Sequence, residues 1–163
     1  MNNSQELAET EDRVARWIKQ ADFSSDTKVE FLAGDASDRR FARVIPPKSR
    51  TSILVVHNHS IDPTELPMVQ VTELFRKLPV NVPTIHSIAP ELGIVVLEDL
   101  GDTTLASVVS KGTNEQRTSY YQEAVNIIGT IQRGSRQSSK TENIAFSVAF
   151  DFDKLIFELN FFV

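Results

Sequence analysis

Ser52-Ile53-Leu54-Val55-Val56-His57 is the stretch that most restricts what this chain can fold into. It carries no carboxylate, lysine or arginine and does not alternate, so it reads as a strand covered on both faces and central in its sheet. A central strand needs neighbours, and the residues before it supply two. Thr27-Lys28-Val29-Glu30-Phe31-Leu32 alternates polar and apolar side chains, as a half-buried strand does. Arg39-Arg40-Phe41-Ala42-Arg43-Val44-Ile45 is the second. Pro46-Pro47-Lys48-Ser49-Arg50 turns the chain between them and the central strand, because paired prolines cannot donate to a ladder. The three strands predict an antiparallel meander.

The flanking segments are helical or return to the sheet. Leu7, Val14, Trp17 and Ile18 recur at near-helical spacing, predicting a helix over 4–20 with Ser4 as N-cap. After the central strand, Asp62-Pro63 signals a helix start, and Met68, Val71, Leu74, Phe75 and Leu78 give a helix over about 65–78. Pro79 and Pro83 end it. Thr84–Ala89 and Gly93–Leu97 predict a second hairpin around Pro90-Glu91-Leu92. Beyond Glu98-Asp99-Leu100-Gly101-Asp102 the pattern is helical: 103–110, about 114–132, and Phe150–Val163, with Arg133–Asn143 as a mobile Gly/Ser/Lys/Gln-rich linker. The fold class is α+β, with five short antiparallel strands and one helix inserted after the third.

Composition removes several functions. The 163 residues contain no cysteine, which excludes disulfides, thiolate metal sites and a cysteine nucleophile. Three histidines make a multi-histidine zinc site a poor reading. A net charge of −5 argues against a general nucleic-acid partner. The polar, acidic start is unlike a signal peptide, and no apolar run reaches the roughly 20 residues that span a bilayer. A cytoplasmic enzyme or binding domain, with no nucleic-acid and no membrane partner, is the expectation.

The loop between the first two strands, Gly34-Asp35-Ala36-Ser37-Asp38-Arg39-Arg40, has two readings. Gly-Asp and Ser-Asp are ordinary hairpin-turn chemistry. A glycine-led turn with a hydroxyl and exposed backbone N–H groups also cradles phosphate oxygens, and neighbouring arginines supply positive charge.

Three ordered segments carry a resemblance. Leu32 to Val44, with its Gly34-Asp35-Ala36-Ser37-Asp38-Arg39-Arg40 core, is similar to a phosphate-loop signature. Val80-Asn81-Val82-Pro83-Thr84-Ile85 matches a helix-to-strand turn, and Ile94-Val95-Val96-Leu97-Glu98-Asp99-Leu100-Gly101-Asp102 matches a hinge. Together they resemble the amino-terminal lobe of the aminoglycoside phosphotransferase and choline kinase family. Within it the likeness is closest to the bacterial kinases acting on the anomeric position of N-acetylmuramate and N-acetylglucosamine. Phe152 to Phe162 also looks like the family's first large-lobe helices.

The resemblance implies a protein-kinase-like small lobe over 27–100, preceded by an N-terminal helix over 1–26 and followed by the incomplete start of a large lobe over 101–163. It implies ATP-dependent phosphoryl transfer to a sugar or aminosugar hydroxyl, chemistry that rests mostly on positioning and charge neutralisation. Backbone amides around Gly34, Asp35, Ala36 and Ser37 would hold the β- and γ-phosphates, and backbone groups around Glu98, Asp99 and Leu100 would meet the adenine edge. The acidic turn at Glu98 and Asp99 also has an ordinary reading, as a solvated surface turn.

The chain departs from the family pattern in two respects. The third strand has no lysine to grip the phosphates, so one arginine of the second strand is expected to replace it. Arg40 and Arg43 are equal candidates, lying on opposite faces by alternation, and either can instead be a surface charge. Glu73, or Gln70 one turn earlier, is the expected partner, and His57 and His59 are read as incidental. Secondly, no histidine follows the hinge, and no catalytic-loop Asp or Asn is recognisable there. The catalytic base and the Mg ligands are therefore expected in a missing lobe, so this polypeptide is expected not to turn over unaided. The competing expectations are a non-catalytic nucleotide-binding or interaction module, and a generic α+β domain.

Overall fold

A computed structural model of the chain describes residues 3–32, 39–138, 143–147, 149 and 151–160. Helix α1 (Asn3–Gln20) leads into β1 (Lys28–Phe31), β2 (Arg40–Ile45) and β3 (Ser52–Val56). Helix α2 (Pro67–Arg76) is inserted before β4 (Ile85–Ala89) and β5 (Ile94–Glu98), which are joined by a 3-10 turn at Pro90–Leu92. Helices α3 (Leu105–Lys111), α4 (Asn114–Ser138), α5 (Ile144–Ser147) and α6 (Phe152–Asn160) follow.

The strands form one antiparallel sheet in the order β1-β2-β3-β5-β4. The uncharged third strand is central as its sequence requires, and Leu54, Val55 and Val56 are all buried. Alternation sends the two sides of each strand into two cores. On one face, Ala42, Val44, Leu54, Val56, Ile94 and Val96 pack with Val14 and Trp17 of α1. On the other, Val55 and Val95 meet Ile61, with Phe41, Leu66, Met68, Ile85 and Leu97 packed around them. Burying each large aliphatic contributes about 1.5–3 kcal/mol, which makes the first face the main source of stability.

Helix α1 docks through Thr10, Val14 and Trp17, spaced one and two turns apart, while Leu7 stays 43% exposed. Arg13, one residue before Val14, ties the helix to the end of the sheet. Its guanidinium donates to the carbonyls of His57 (3.3 Å), Leu92 (3.2 Å) and Asn58 (2.9 Å).

Three expectations are corrected. Helix α2 starts at Pro67, not near 65, because Asp62 is used in a local turn, accepting from the Thr64 N–H (2.8 Å) and hydroxyl (2.7 Å). Ser4 lies inside α1 rather than capping it. The linker expected from Arg133 is helical through Ser138, and Asn143 is held on α2. Its amide donates to the Gln70 carbonyl (2.9 Å), and the Ile144 N–H donates to Gln70 Oε1 (3.0 Å). Among the described residues, no helix is long and apolar enough to cross a membrane.

Candidate functional site

Of the described functional candidates, Arg43, Asp99 and Leu100 come together at the connector after β5. Arg43 lies on β2 opposite Glu30 and Ile53, between the buried Ala42 and Val44 that face α1, so its side chain leaves on the α2 side of the sheet. There it meets two carboxylates from the connector. Its Nε is 2.8 Å from Asp99 Oδ2 and its Nη2 donates to Asp99 Oδ1 at 3.1 Å. Nη2 also donates to Asp102 Oδ1 at 2.8 Å, and Nη1 to Asp102 Oδ2 at 3.1 Å. One guanidinium thus engages both oxygens of both carboxylates, the fork geometry that arginine offers and lysine does not.

Burial differs across this clasp. The Asp99 side chain is 6% exposed and that of Asp102 is 82% exposed. Asp99 also accepts from the Gly101 N–H at 2.9 Å and from Thr51. Gly101 has φ +75°, a left-handed turn that folds its amide back onto that carboxylate. Burial pushes the Asp99 carboxyl up, but the Gly101 amide, Arg43 and Thr51 outweigh it and hold the group below the usual carboxylate range. Arg43 lowers Asp102 as well, and the hydrogen bonds to Asp102 and Asp99 raise Arg43 itself.

Glu98 has a separate task. Its backbone N–H donates to the Thr84 carbonyl (2.8 Å) and its carboxylate accepts from the Thr84 N–H (3.0 Å), closing the start of the β4–β5 pair. The Thr84 amide holds the Glu98 carboxyl below its ordinary range. Leu100 is 67% exposed, and among the described residues its main-chain N–H and carbonyl have no hydrogen-bond partner. A flat ligand edge with one donor and one acceptor fits such a free peptide.

The remaining candidates fall elsewhere. Gly34, Asp35, Ala36 and Ser37 lie outside the described residues; the β1–β2 pairing extends to the Leu32 N–H and Phe41 carbonyl on either side of them (2.9 Å). Arg40 lies on the opposite sheet face from Arg43, beside Val56. Glu73 lines a groove of about 570 Å³ with Val69, Gln70, Lys77 and Ile88, and takes no part in the Arg43 clasp. Gln70 is committed to residues 143 and 144. Among the described residues, no group of three or more His, Asp or Glu side chains is placed to hold a metal.

Two features escaped sequence reasoning. Asp102 was read as the end of a hinge motif, not as a partner of Arg43. His57 was read as incidental, yet its Nε2 is buried without a hydrogen-bond partner, and burial, then His59 and Arg39, push its pKa down. The signal available for Asp102 was charge: a basic residue on the α2 side of β2 must find an acid there.

Over 151 residues the chain is 26% identical to an N-acetylmuramate/N-acetylglucosamine kinase of Neisseria meningitidis serogroup B. The match takes in 92% of this chain but 42% of that protein, so the chain spans less than half the length of the relative. No family model matches the sequence, and no solved structure matches it.

Proposed function

We propose that this chain is the nucleotide-binding portion of a phosphotransferase acting on a sugar or aminosugar hydroxyl, with ATP as the donor. The observation that carries the reading is the connector: a clasped turn that leaves Leu100 exposed and its peptide unpaired among the described residues. Similarity to a sugar kinase over 92% of the chain, at 26% identity, supports this reaction class. Leu100 offers a donor and an acceptor to the adenine edge, and the segment Gly34–Ser37 would contribute amides to the phosphates. Mg2+ would accompany the nucleotide and neutralise its phosphates, and the acceptor sugar and the catalytic base belong to the rest of such a phosphotransferase.

Calorimetric titration with ATP tests this directly. Saturable binding, matched by an ATP-dependent rise in Tm and without steady sugar phosphorylation by these 163 residues, is the expected result. Absence of both binding and stabilisation at millimolar ATP refutes it.

A second reading, a module that docks a partner, is favoured by the exposed apolar residues on α4 and α6. Tyr121, Val125 and Ile128 of α4 are 55%, 65% and 53% exposed, and Phe152, Leu155, Ile156 and Leu159 of α6 are exposed as well. ATP-independent self-association or partner capture with no nucleotide effect would favour that reading.

A further inference from the structure

We infer that Arg43 is a positioning residue for the adenine-facing connector and not the stand-in for the phosphate-gripping lysine. This rests on the nucleotide-binding reading above and assigns Arg43 to one end of the nucleotide. The first argument is donor occupancy. Nη1 and Nη2 donate three hydrogen bonds to carboxylate oxygens at 2.8–3.1 Å, while Nε is buried 2.8 Å from Asp99 Oδ2 and is not presented to a ligand. A phosphate oxygen would have to displace a carboxylate already held in bidentate geometry.

The second argument is charge. One guanidinium and two carboxylates make a cluster of net charge −1, since both acids stay ionised at neutral pH. A polyphosphate brought to that cluster meets net repulsion in a partly buried place, where charge interactions are weakly screened. An uncharged purine edge meets none.

The third argument is connectivity. Asp99 couples the arginine to the turn: the same carboxylate takes Arg43 on one side and the Gly101 amide on the other. Leu100, whose peptide is unpaired, lies between Asp99 and Gly101 in the chain. Its direction is therefore set by a side chain anchored in β2, so the sheet fixes where the connector presents its free donor and acceptor. This is preorganisation, which lowers the ordering cost of binding.

Three variants separate positioning from phosphate binding: Arg43→Ala, Asp99→Asn and Asp102→Asn. Each is titrated with ATP and with adenosine, and hydrogen exchange is followed at the Gly101 amide, which donates to Asp99. Positioning predicts that Arg43→Ala and Asp99→Asn weaken ATP and adenosine by the same factor, about tenfold, with faster exchange at this amide. Asp102→Asn, at an exposed position that does not threaten folding, should show a smaller, equal loss for both ligands. A loss confined to ATP in Arg43→Ala overturns the inference and makes Arg43 a phosphate ligand. Unchanged amide exchange in Arg43→Ala and Asp102→Asn overturns it as well. If the parent chain binds neither ligand, the nucleotide reading itself fails, while faster exchange in the variants still shows that the clasp holds the turn.

Discussion

Gly93 is the residue whose replacement tests the fold most sharply, because Gly101 provides an internal control. Both have left-handed backbones, φ +65° and +75°. An L-residue there costs about 1–2 kcal/mol, offset by about 0.4–1 kcal/mol from the less flexible unfolded chain. Their surroundings differ. A Cβ at Gly101 would meet nothing within 4 Å, so Gly101→Ala should destabilise by only about 0.5–1 kcal/mol. A Cβ at Gly93 would fall on the His59 carbonyl, far inside van der Waals contact, and 3.1 Å from the His57 carbonyl and from Arg13 Nη1. The backbone cannot retreat easily, because the Gly93 carbonyl accepts from the His57 N–H (2.8 Å) and its N–H donates to Pro90 (3.0 Å). Overpacking of this kind adds about 1–3 kcal/mol, for a total of about 1.5–4 kcal/mol. In urea unfolding, with a slope of about 1–3 kcal/mol/M for a domain this size, Gly93→Ala should lower the midpoint by about 1 M while Gly101→Ala moves it much less. Asparagine sharpens the contrast. It tolerates the left-handed region but carries a Cβ, so it should rescue position 101 and not position 93. Equal midpoint shifts for the two alanine variants would refute the steric reasoning.

Three further outcomes follow from named contacts. Arg13→Met keeps most of the aliphatic stem but removes three charge-assisted bonds to carbonyls, and should cost about 2 kcal/mol in the same unfolding assay; a change under 0.5 kcal/mol would mean that α1 docks by Val14 and Trp17 alone. His57 faces Arg39 and His59 and has a folded pKa below its unfolded value, so its contribution is fully present above about pH 6.5 and is lost as pH falls through that value toward the folded pKa; His57→Gln should flatten stability against pH in that window, and an unaltered profile would count against it. Val125→Lys combined with Ile128→Lys should leave the unfolding midpoint of this chain within about 0.5 kcal/mol, because both side chains are already exposed, while reducing binding of a hydrophobic dye; a larger loss would show that α4 packs through that face.

The sheet was legible because each strand carried its own burial pattern. The uncharged run at Ile53–Val56 predicted a covered central strand, and alternation along Phe41–Val44 correctly divided β2 between two faces. The inserted helix and the turn at Pro90–Leu92 were likewise marked by local chemistry. Boundaries failed where a signal had two uses. Asp62-Pro63 looked like a helix start, but the aspartate closes its own turn with Thr64 and leaves the start to Pro67. From Arg133 the helical stripe disappears and the composition turns polar, yet arginine and glutamine are good helix formers and α4 continues. Gly134, within that polar stretch, lies against the Leu78 side chain just beyond α2, where a Cβ would make the leucine shift.

The site was legible only as a set of parts. The sequence showed an arginine of the second strand and an acidic turn after the fifth, each with an ordinary surface reading of its own. Pairing them requires knowing that β2 and β5 both flank β3, which places Arg43 two strands from the residue preceding Asp99. Once the sheet order is fixed, an aliphatic stem on the α2 side of β2 has few directions in which to discharge its guanidinium, and the connector lies along one of them. Burial then decides which acid matters. Asp99, nearly buried, would be costly to leave unpaired, so it must keep Arg43 and the Gly101 amide together. Asp102, exposed, adds less to the clasp than Asp99 does. The sheet and the connector are therefore joined by one buried pair and one exposed pair through a single side chain. A ligand edge seated on Leu100 would read the geometry that the buried pair sets.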